Sequence, residues 1–445
     1  MPFTELHIGI DDTDSLQEGC TTYVAALLVE ELKQRGAHFK DYPQLIRLNP
    51  NIPWKSRGNG AVCLRIIADT RDLQHMLDVA IDLVERLKAQ SGSNPGIAVL
   101  KGSVPTPLEE FSKAALHEVL TINDARKVAI KNHVELLPDS ERRGIIGALA
   151  AIGQTLLNAD YTYELLAYRI QEMRGKPRRV DPKSVVEMDK LTHPFTFNNI
   201  DYETGRTLIT PRGPDPVLFG IRGENPEILV KALSMLKVEE PIERWVIFRT
   251  NQGTDAHLAF PPKRIKQLKP YEAVTLEGVI SKQPMVIPGG HVIASISDGT
   301  GEVDIAAYEP TGSFREVVKK LTPGDLVKVY GGVRPISTGK FTINLEKLVI
   351  VKVAELYVEK NPRCPRCGKR MKSEGKGKGF SCPKCKYRDP KAEKERIPVQ
   401  RELEEGKVYL PPPRAQRHLT KPLQRYGREK IRWTGPMIEK WHYPP

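Results

Sequence analysis

No apolar stretch in the 445-residue sequence approaches the length needed to cross a bilayer. The opening "MPFTELHIGIDD" lacks the basic-then-apolar layout of a secretory signal. No membrane partner is therefore expected, and the chain is predicted to be cytoplasmic. The P-loop pattern GxxxxGK[ST] is missing as well, so an ATP site has to be built another way. Cysteine is scarce, with six residues, and four of them fall in one cluster. The other two, Cys20 and Cys63, are expected to be reduced packing residues. Acidic residues are in deficit, 55 against 68 basic ones, which leaves a formal net charge of +13. That balance favours an acidic partner, above all nucleic acid, whose phosphates supply affinity whatever the base sequence. Mere solubility is the plain alternative. No feature of the chain implies an obligate protein partner.

The chain is too long for one core. Residues 1–137 alternate strands and helices, as an α/β or α+β domain does. "ELHIGIDD", "PQLIRLN", "GAVCLRIIAD" and "IAVLKG" read as strands. "TTYVAALLVEELKQRG" reads as a helix with Val24, Leu27, Leu28 and Leu32 at helical spacing and Gly36 as its stop. "RDLQHMLDVAIDLVERLKAQ" reads as a second helix. Residues 138–262 are mixed: "IIGALAAIGQTLL" predicts a small-residue helix, "TYELLAYRI" another helix, and "VEEPIERWVIFRT" a strand. Borders here are soft enough to allow one domain inserted in another. The proline-bounded, basic "PPKRIKQLKP" predicts a linker. Residues 271–354 then show five short strands with the helix-like "SFREVVKKLT" between the third and fourth, which is the layout of an OB-fold. A small β-barrel with no nucleic-acid role is the alternative.

The strongest spacing is in "CPRCGKRMKSEGKGKGFSCPKC". Cys364 and Cys367 form one CxxC pair and Cys382 and Cys385 the other, which predicts a structural zinc ribbon over residues 360–392. Its lysines and arginines, with Phe380 and Tyr387 as exposed rings, suit an RNA surface; a solvated hairpin is the alternative. Residues 393–445 form a basic tail with interleaved Tyr426 and Trp433. It either orders on RNA or packs back on the protein.

"GIDDTDS" places Asp11, Asp12 and Asp14 at the end of a strand, with "GCTT" a few residues later. Carboxylates so close repel one another unless a cation sits among them, and magnesium is the natural one beside nucleotide phosphates. Thr21 and Thr22 follow Gly19 at the head of a helix, where free N–H groups favour an anion. The bland reading makes Thr21 a helix cap and the aspartates a turn. "RLNPNIPWKSRGNGAV" adds Arg47, Lys55 and Arg57 around Gly58, Asn59 and Gly60, a set suited to a triphosphate or an RNA base. "TPRGPDPVLFGIRGENPE" offers Asp215, and "FRTNQGTDAHL" offers Arg249, Asn251 and His257.

With these motifs in this order, from about Leu6 into the tail, the chain resembles the archaeal 2-agmatinylcytidine synthetases, which modify isoleucine tRNA bearing a CAU anticodon. The resemblance implies a multidomain α+β architecture: an unusual α/β kinase-like domain, a ferredoxin-like domain, an OB-fold and a zinc ribbon. It implies that ATP drives attachment of agmatine to the 2-position of the wobble cytidine through a phosphorylated cytidine, with AMP and phosphate released. A threonine phosphorylated in the family corresponds to Thr21. The implied roles put Asp11, Asp12 and Asp14 at the chemistry, with Asp11 and Asp12 on magnesium. Lys55, Arg57, Gly58, Asn59 and Gly60 fall to ATP; Asp215, Arg249 and Asn251 fall to substrate, with Asp215 gripping the agmatine guanidinium. The competing readings are a non-catalytic OB-fold and zinc-ribbon RNA-binding protein, and a two-metal phosphoesterase. The latter lacks the dispersed histidines such sites recruit.

Overall fold

The computed structural model describes residues 3–137, 141–337, 339–432 and 435–445. The expected border at residue 138 and the ring of Trp433 lie outside them. Among the described residues no helix is long and apolar enough to cross a membrane.

One sheet of 11 strands runs through the first half of the chain. Phe3–Asp11 lies at the centre of its first part, antiparallel to both Gly60–Asp69 and Gly96–Lys101. Its apolar residues Leu6, Ile8 and Ile10 are fully buried, as a strand covered on both sides requires. The helices Thr21–Gln34 and Leu73–Leu87 form as expected from their periodicity, and Gly36 follows the first in the left-handed region. The small-residue helix Gly144–Gly153 lies directly on the central strand. A β-carbon at Gly9 would stand 2.1 Å from the Ala148 carbonyl oxygen, so only glycine permits this approach. The contact brings the head of that helix to the end of the strand, where Asp11 sits.

The second part of the sheet contains Ile242–Thr250, Thr162–Arg169 and Val217–Gly223, mutually antiparallel, with the helices Pro182–Thr192 and Pro226–Met235. "TYELLAYRI", expected as a helix, is the strand Thr162–Arg169. All eight of its residues are buried, and a strand covered on both faces shows no alternation to distinguish it from a buried helix. The two parts join through parallel pairing of Gln44–Arg47 with Ile242–Thr250, where Arg249 faces Gln44 and Thr250 faces Leu45.

Beyond the linker, strands Ala273–Ile287, His291–Ser297, Glu302–Ala307, Leu326–Pro335 and Phe341–Lys352 form a barrel, closed by parallel pairing of the third with the fifth. The helix Ser313–Lys319 lies between the third and fourth in sequence. This is the expected OB-fold. The ribbon follows on a two-stranded stem, Tyr357–Lys360 with Glu395–Pro398. Phe380 is not the exposed ring expected there: it packs on Cys364, Met371 and Cys382 in the ribbon's own small core. Tyr387 packs against that core and has the Arg366 guanidinium 4.8 Å from its ring centre.

Of the two fates open to the tail, the structure shows packing back. Val408–Tyr409 adds to the barrel, and Arg414 pairs with Asp201 at 2.7 Å and Glu203 at 2.8 Å. Trp441 is buried against Phe39 and Tyr42, and His442–Tyr443 pairs with Ile242–Thr250. The firmest anchor is Arg425, fully buried, which grips Asp160 through two bonds of 3.0 Å and Glu224 at 2.6 Å. Removing one member of a buried ion network strands the others without compensation. Arg425→Met is expected to lower unfolding stability by about 3–5 kcal/mol in denaturant titration; an unchanged midpoint would show that the strap holds without it.

Candidate active site

The first strand ends at Asp11, and the chain turns sharply. Asp12 adopts φ 57°, and Gly19 closes the loop with φ 79°. A β-carbon on Gly19 would stand 2.6 Å from the Thr13 carbonyl oxygen, so the loop folds tightly on itself. Asp11 points at the helix Gly144–Gly153 so closely that a β-carbon on Gly147 would overlap its Oδ2 at 1.8 Å. Asp11, Asp12, Asp14, Cys20, Thr21 and Thr22 then line one wall of a cavity of about 600 Å³.

Thr21 is the first residue of its helix, and Cys20 precedes it as the N-cap without a side-chain cap bond. Thr21 is therefore not the cap. Its hydroxyl instead lies 3.0 Å from that of Thr13, on the cavity wall. Cys20 lines the cavity too, its thiol pushed up to about 11 by burial and then by Asp215. Cys63 is an ordinary core residue.

Arg57 crosses the cavity. Its Nε donates to Asp14 Oδ2 at 2.9 Å, its Nη2 to the Gly19 carbonyl at 2.6 Å, and its Nη1 lies 3.2 Å from Asp215 Oδ2. Burial opposes the charge on Arg57, but Asp14 outweighs it, and its pKa is raised. The loop carrying it is tight for a reason: a β-carbon on Gly58 would stand 2.7 Å from Arg47 Nη1, and Asn59 takes φ 40° while donating to the Asn49 carbonyl at 2.7 Å. Lys55, Gly58, Asn59 and Gly60 all line the cavity.

Asp11 and Asp12 have no ion-pair partner among the described residues. Burial, then the Asp12 charge, raises Asp11 well above the usual carboxylate range. Burial, then Asp14, pushes Asp12 up to about 7, with Arg143 pulling the other way. The trio lines one wall without converging: among the described residues, the four ribbon cysteines alone bring three or more ligand atoms within 4.8 Å of one another. Cys364 Sγ lies 3.5 Å from Cys385 Sγ, and Cys367 Sγ 3.4 Å from Cys382 Sγ, a spacing that suits four thiolates on one zinc.

Asp215 lines the cavity as expected, but its carboxylate is already held by Arg57, by Arg178 at 3.5 Å and by the Val217 amide at 3.1 Å. Arg249 and Asn251, expected at the substrate, are elsewhere. Arg249 is buried against Asp41 and donates to the Thr155 carbonyl at 3.0 Å. Asn251 exchanges two bonds with the backbone of Arg47, at 2.8 and 2.9 Å, and so fastens the two parts of the sheet together. His257 is buried on Glu346 at 2.8 Å, between the sheet and the barrel. Sequence reasoning missed Arg143 and, from the tail, Arg414, Gln416 and His418 on the cavity wall. His418 Nδ1 accepts from Arg222 at 2.8 Å. The basic character of the tail was the one signal that could have found them.

Fold and site together define a multidomain nucleic-acid protein in which an acidic, cation-ringed cavity is joined to an OB barrel and a zinc ribbon. Comparison with known proteins makes the class specific. Residues 7–137 match the model of the TiaS TCKD domain and 142–257 that of the TiaS FLD domain. Residues 274–351 match the OB-fold nucleic acid binding domain and 361–403 the TiaS C-terminal zinc ribbon domain. The chain is 46% identical to the isoleucine tRNA 2-agmatinylcytidine synthetase TiaS of Staphylothermus marinus over 97% of this chain and 95% of that one. It is 45% identical to that of Methanocaldococcus jannaschii over 94% and 98%. Solved structures agree: apo TiaS at TM-score 0.85 and 42% identity, and a complex of TiaS with its isoleucine tRNA and ATP at 0.83 and 41%, each covering 95% of this chain and 97% of the other. A complex of TiaS with the same tRNA, AMPCPP and agmatine follows at 0.81 and 39%, with the same coverage. The chain belongs to the TiaS family of isoleucine tRNA 2-agmatinylcytidine synthetases.

The raised carboxylates have a measurable sign. The folded protein holds the Asp12 proton more tightly than the unfolded chain does, so this group costs stability as pH rises from about 4 to about 7. In chelator, Asp12→Asn should melt above the wild type at pH 8, and the gap should close toward pH 4. A gap independent of pH would contradict the charge crowding.

Proposed function

We propose that the chain joins agmatine to the 2-position of the wobble cytidine of isoleucine tRNA with a CAU anticodon, using ATP. One observation carries this reading: a single cavity gathers the aspartate wall, Thr21, the Arg57 loop and Asp215, and opens beside an OB barrel. A protein that only gripped RNA would have no use for crowded carboxylates facing an anionic partner. On this reading the chain divides into a kinase-like part to residue 137, a ferredoxin-like part to 262, the barrel, the ribbon and the tail. The tRNA substrate puts the protein in the cytoplasm.

The cytidine 2-oxygen is a poor leaving group, and phosphorylation makes its departure feasible when the agmatine amine attacks. AMP and phosphate are released. Such phosphoryl transfer needs positioning and charge neutralisation more than a special nucleophile. Asp11 and Asp12 are the residues to hold magnesium: they are unpaired, crowded and on the cavity wall, and magnesium takes one or two carboxylates together with substrate phosphates. When bound, the ion would screen phosphate charge. Asp14 acts through Arg57, which it orients toward the cavity. Arg57 and Lys55 neutralise phosphate, and Gly58, Asn59 and Gly60 let it approach the backbone. Thr21 stands where a phosphoryl group can reach its hydroxyl. Asp215 takes the agmatine guanidinium in exchange for Arg57 or Arg178. The ribbon, with its zinc, and the barrel hold the body of the tRNA.

Thr21→Ala should abolish labelling of the protein by γ-labelled ATP while tRNA affinity stays near wild type; full labelling of the variant would remove Thr21 from the chemistry. Replacing Cys364 and Cys367 by serine should release zinc, seen as lost metal by atomic emission, and weaken tRNA binding. Retained zinc would refute the ribbon's ligand set.

A further inference from the structure

The loop that carries Arg57 also carries Trp54, whose side chain stays 46% exposed at the cavity wall. Trp54 meets Tyr271 edge-on, with ring centres 6.2 Å apart and planes at 68°. The Arg143 guanidinium stands 5.8 Å from the Trp54 ring centre, and Arg334 stands 5.8 Å from that of Tyr271. The four side chains form a row from the aspartate wall, where Arg143 acts on Asp12, to the OB barrel. Tyr271 is held in place by its backbone. It takes φ 63°, an unfavourable region for a side chain of its size, while its N–H donates to the Val333 carbonyl at 2.9 Å and its carbonyl accepts from Asn49 Nδ2 at 2.9 Å.

Beside this row lies a second cavity of about 380 Å³ whose charged lining residues are Arg47, Lys55, Arg57 and Arg417, with no carboxylate among them. Arg47 and Arg57 have acidic partners elsewhere. Lys55 gives its Nζ to the Ile52 carbonyl at 3.2 Å, and neither it, Arg417 nor Arg334 has a carboxylate at ion-pair distance among the described residues. Arg417 and Arg334 lie close enough to Lys55 to lower its pKa, after burial. Like charges gathered without compensation lack an anion.

We infer that Trp54 and Tyr271 form a stacking platform for the nucleobase next to the wobble cytidine, whose backbone phosphate seats against Lys55, Arg417 and Arg334. This rests on the tRNA reading above and deepens it. A nucleotide supplies both things the surface lacks, a flat face for the half-exposed indole and a negative charge for the unpaired cations; an acidic peptide supplies only the second. Stacking on an aromatic ring is tolerant of base identity, so this platform orders the anticodon without reading its sequence. Its effect is to present the cytidine to the cavity.

The test is a binding cycle with full-length isoleucine tRNA transcripts, either intact or carrying one abasic nucleotide on the 5′ or the 3′ side of the wobble cytidine. Trp54→Ala should weaken binding of intact tRNA about tenfold or more. One abasic transcript should bind wild-type protein equally weakly, and the two changes together should lose no more than either alone. Trp54→Phe should restore most of the affinity, which a folding defect would not allow. Losses that multiply for both abasic transcripts, or unimpaired binding by Trp54→Ala, would overturn the inference. Because binding is the readout, it stands apart from the ligase reading, which fails separately if wild-type protein attaches no labelled agmatine to the intact transcript.

Discussion

Three carboxylates at the end of one buried strand set the terms for the rest of the molecule. Asp11, Asp12 and Asp14 crowd a wall from which water is partly excluded, and a low dielectric makes their mutual repulsion strong. Only Asp14 has a cation of its own, Arg57, and that guanidinium is shared with Asp215 on the opposite wall. The protein thus leaves Asp11 and Asp12 uncompensated and surrounds them with positive groups at a distance. A cation carrying phosphates completes such an arrangement more readily than any side chain present.

Holding that wall open requires the two parts of the sheet to stay in register. Thr250 pairs across the junction, Asn251 clasps the Arg47 backbone, and Arg249 is buried on Asp41. The same segment continues to Asp255, which binds Lys347 of the barrel and the backbone amide of Lys421 in the tail, and to His257 on Glu346. "FRTNQGTDAHL" is therefore a joint between catalytic and RNA-gripping parts. The tail crosses the same joint, puts His418 and Gln416 on the cavity wall, and locks itself down through Arg425. Cavity geometry and domain arrangement are tied together by buried polar contacts, which fail together when one partner is lost.

Features with a local physical cause were legible in the sequence. The CxxC spacing, the five short strands with their inserted helix, and the clustered aspartates followed by "GCTT" each constrain a structure within a short stretch. Features set by distant partners were not. "TYELLAYRI" hides its strand character because both faces are covered. Arg249 and Asn251 looked like substrate ligands because a buried arginine is legible only once Asp41 stands beside it. Phe380 looked like an RNA platform until the ribbon closed around it. The tail's basic residues gave no hint that their partners were Asp160, Asp201, Glu203 and Glu224, all far away in sequence.

The central claim is that the Asp11–Asp12 wall engages ATP through a divalent cation. Calorimetric titration of ATP with and without magnesium measures this directly, in wild type and in Asp11→Asn. The account predicts that magnesium tightens ATP binding at least about tenfold in the wild type, a coupling of roughly 1.4 kcal/mol, and that the coupling disappears in the variant. Equal affinity with and without the ion, or full coupling in Asp11→Asn, would contradict it.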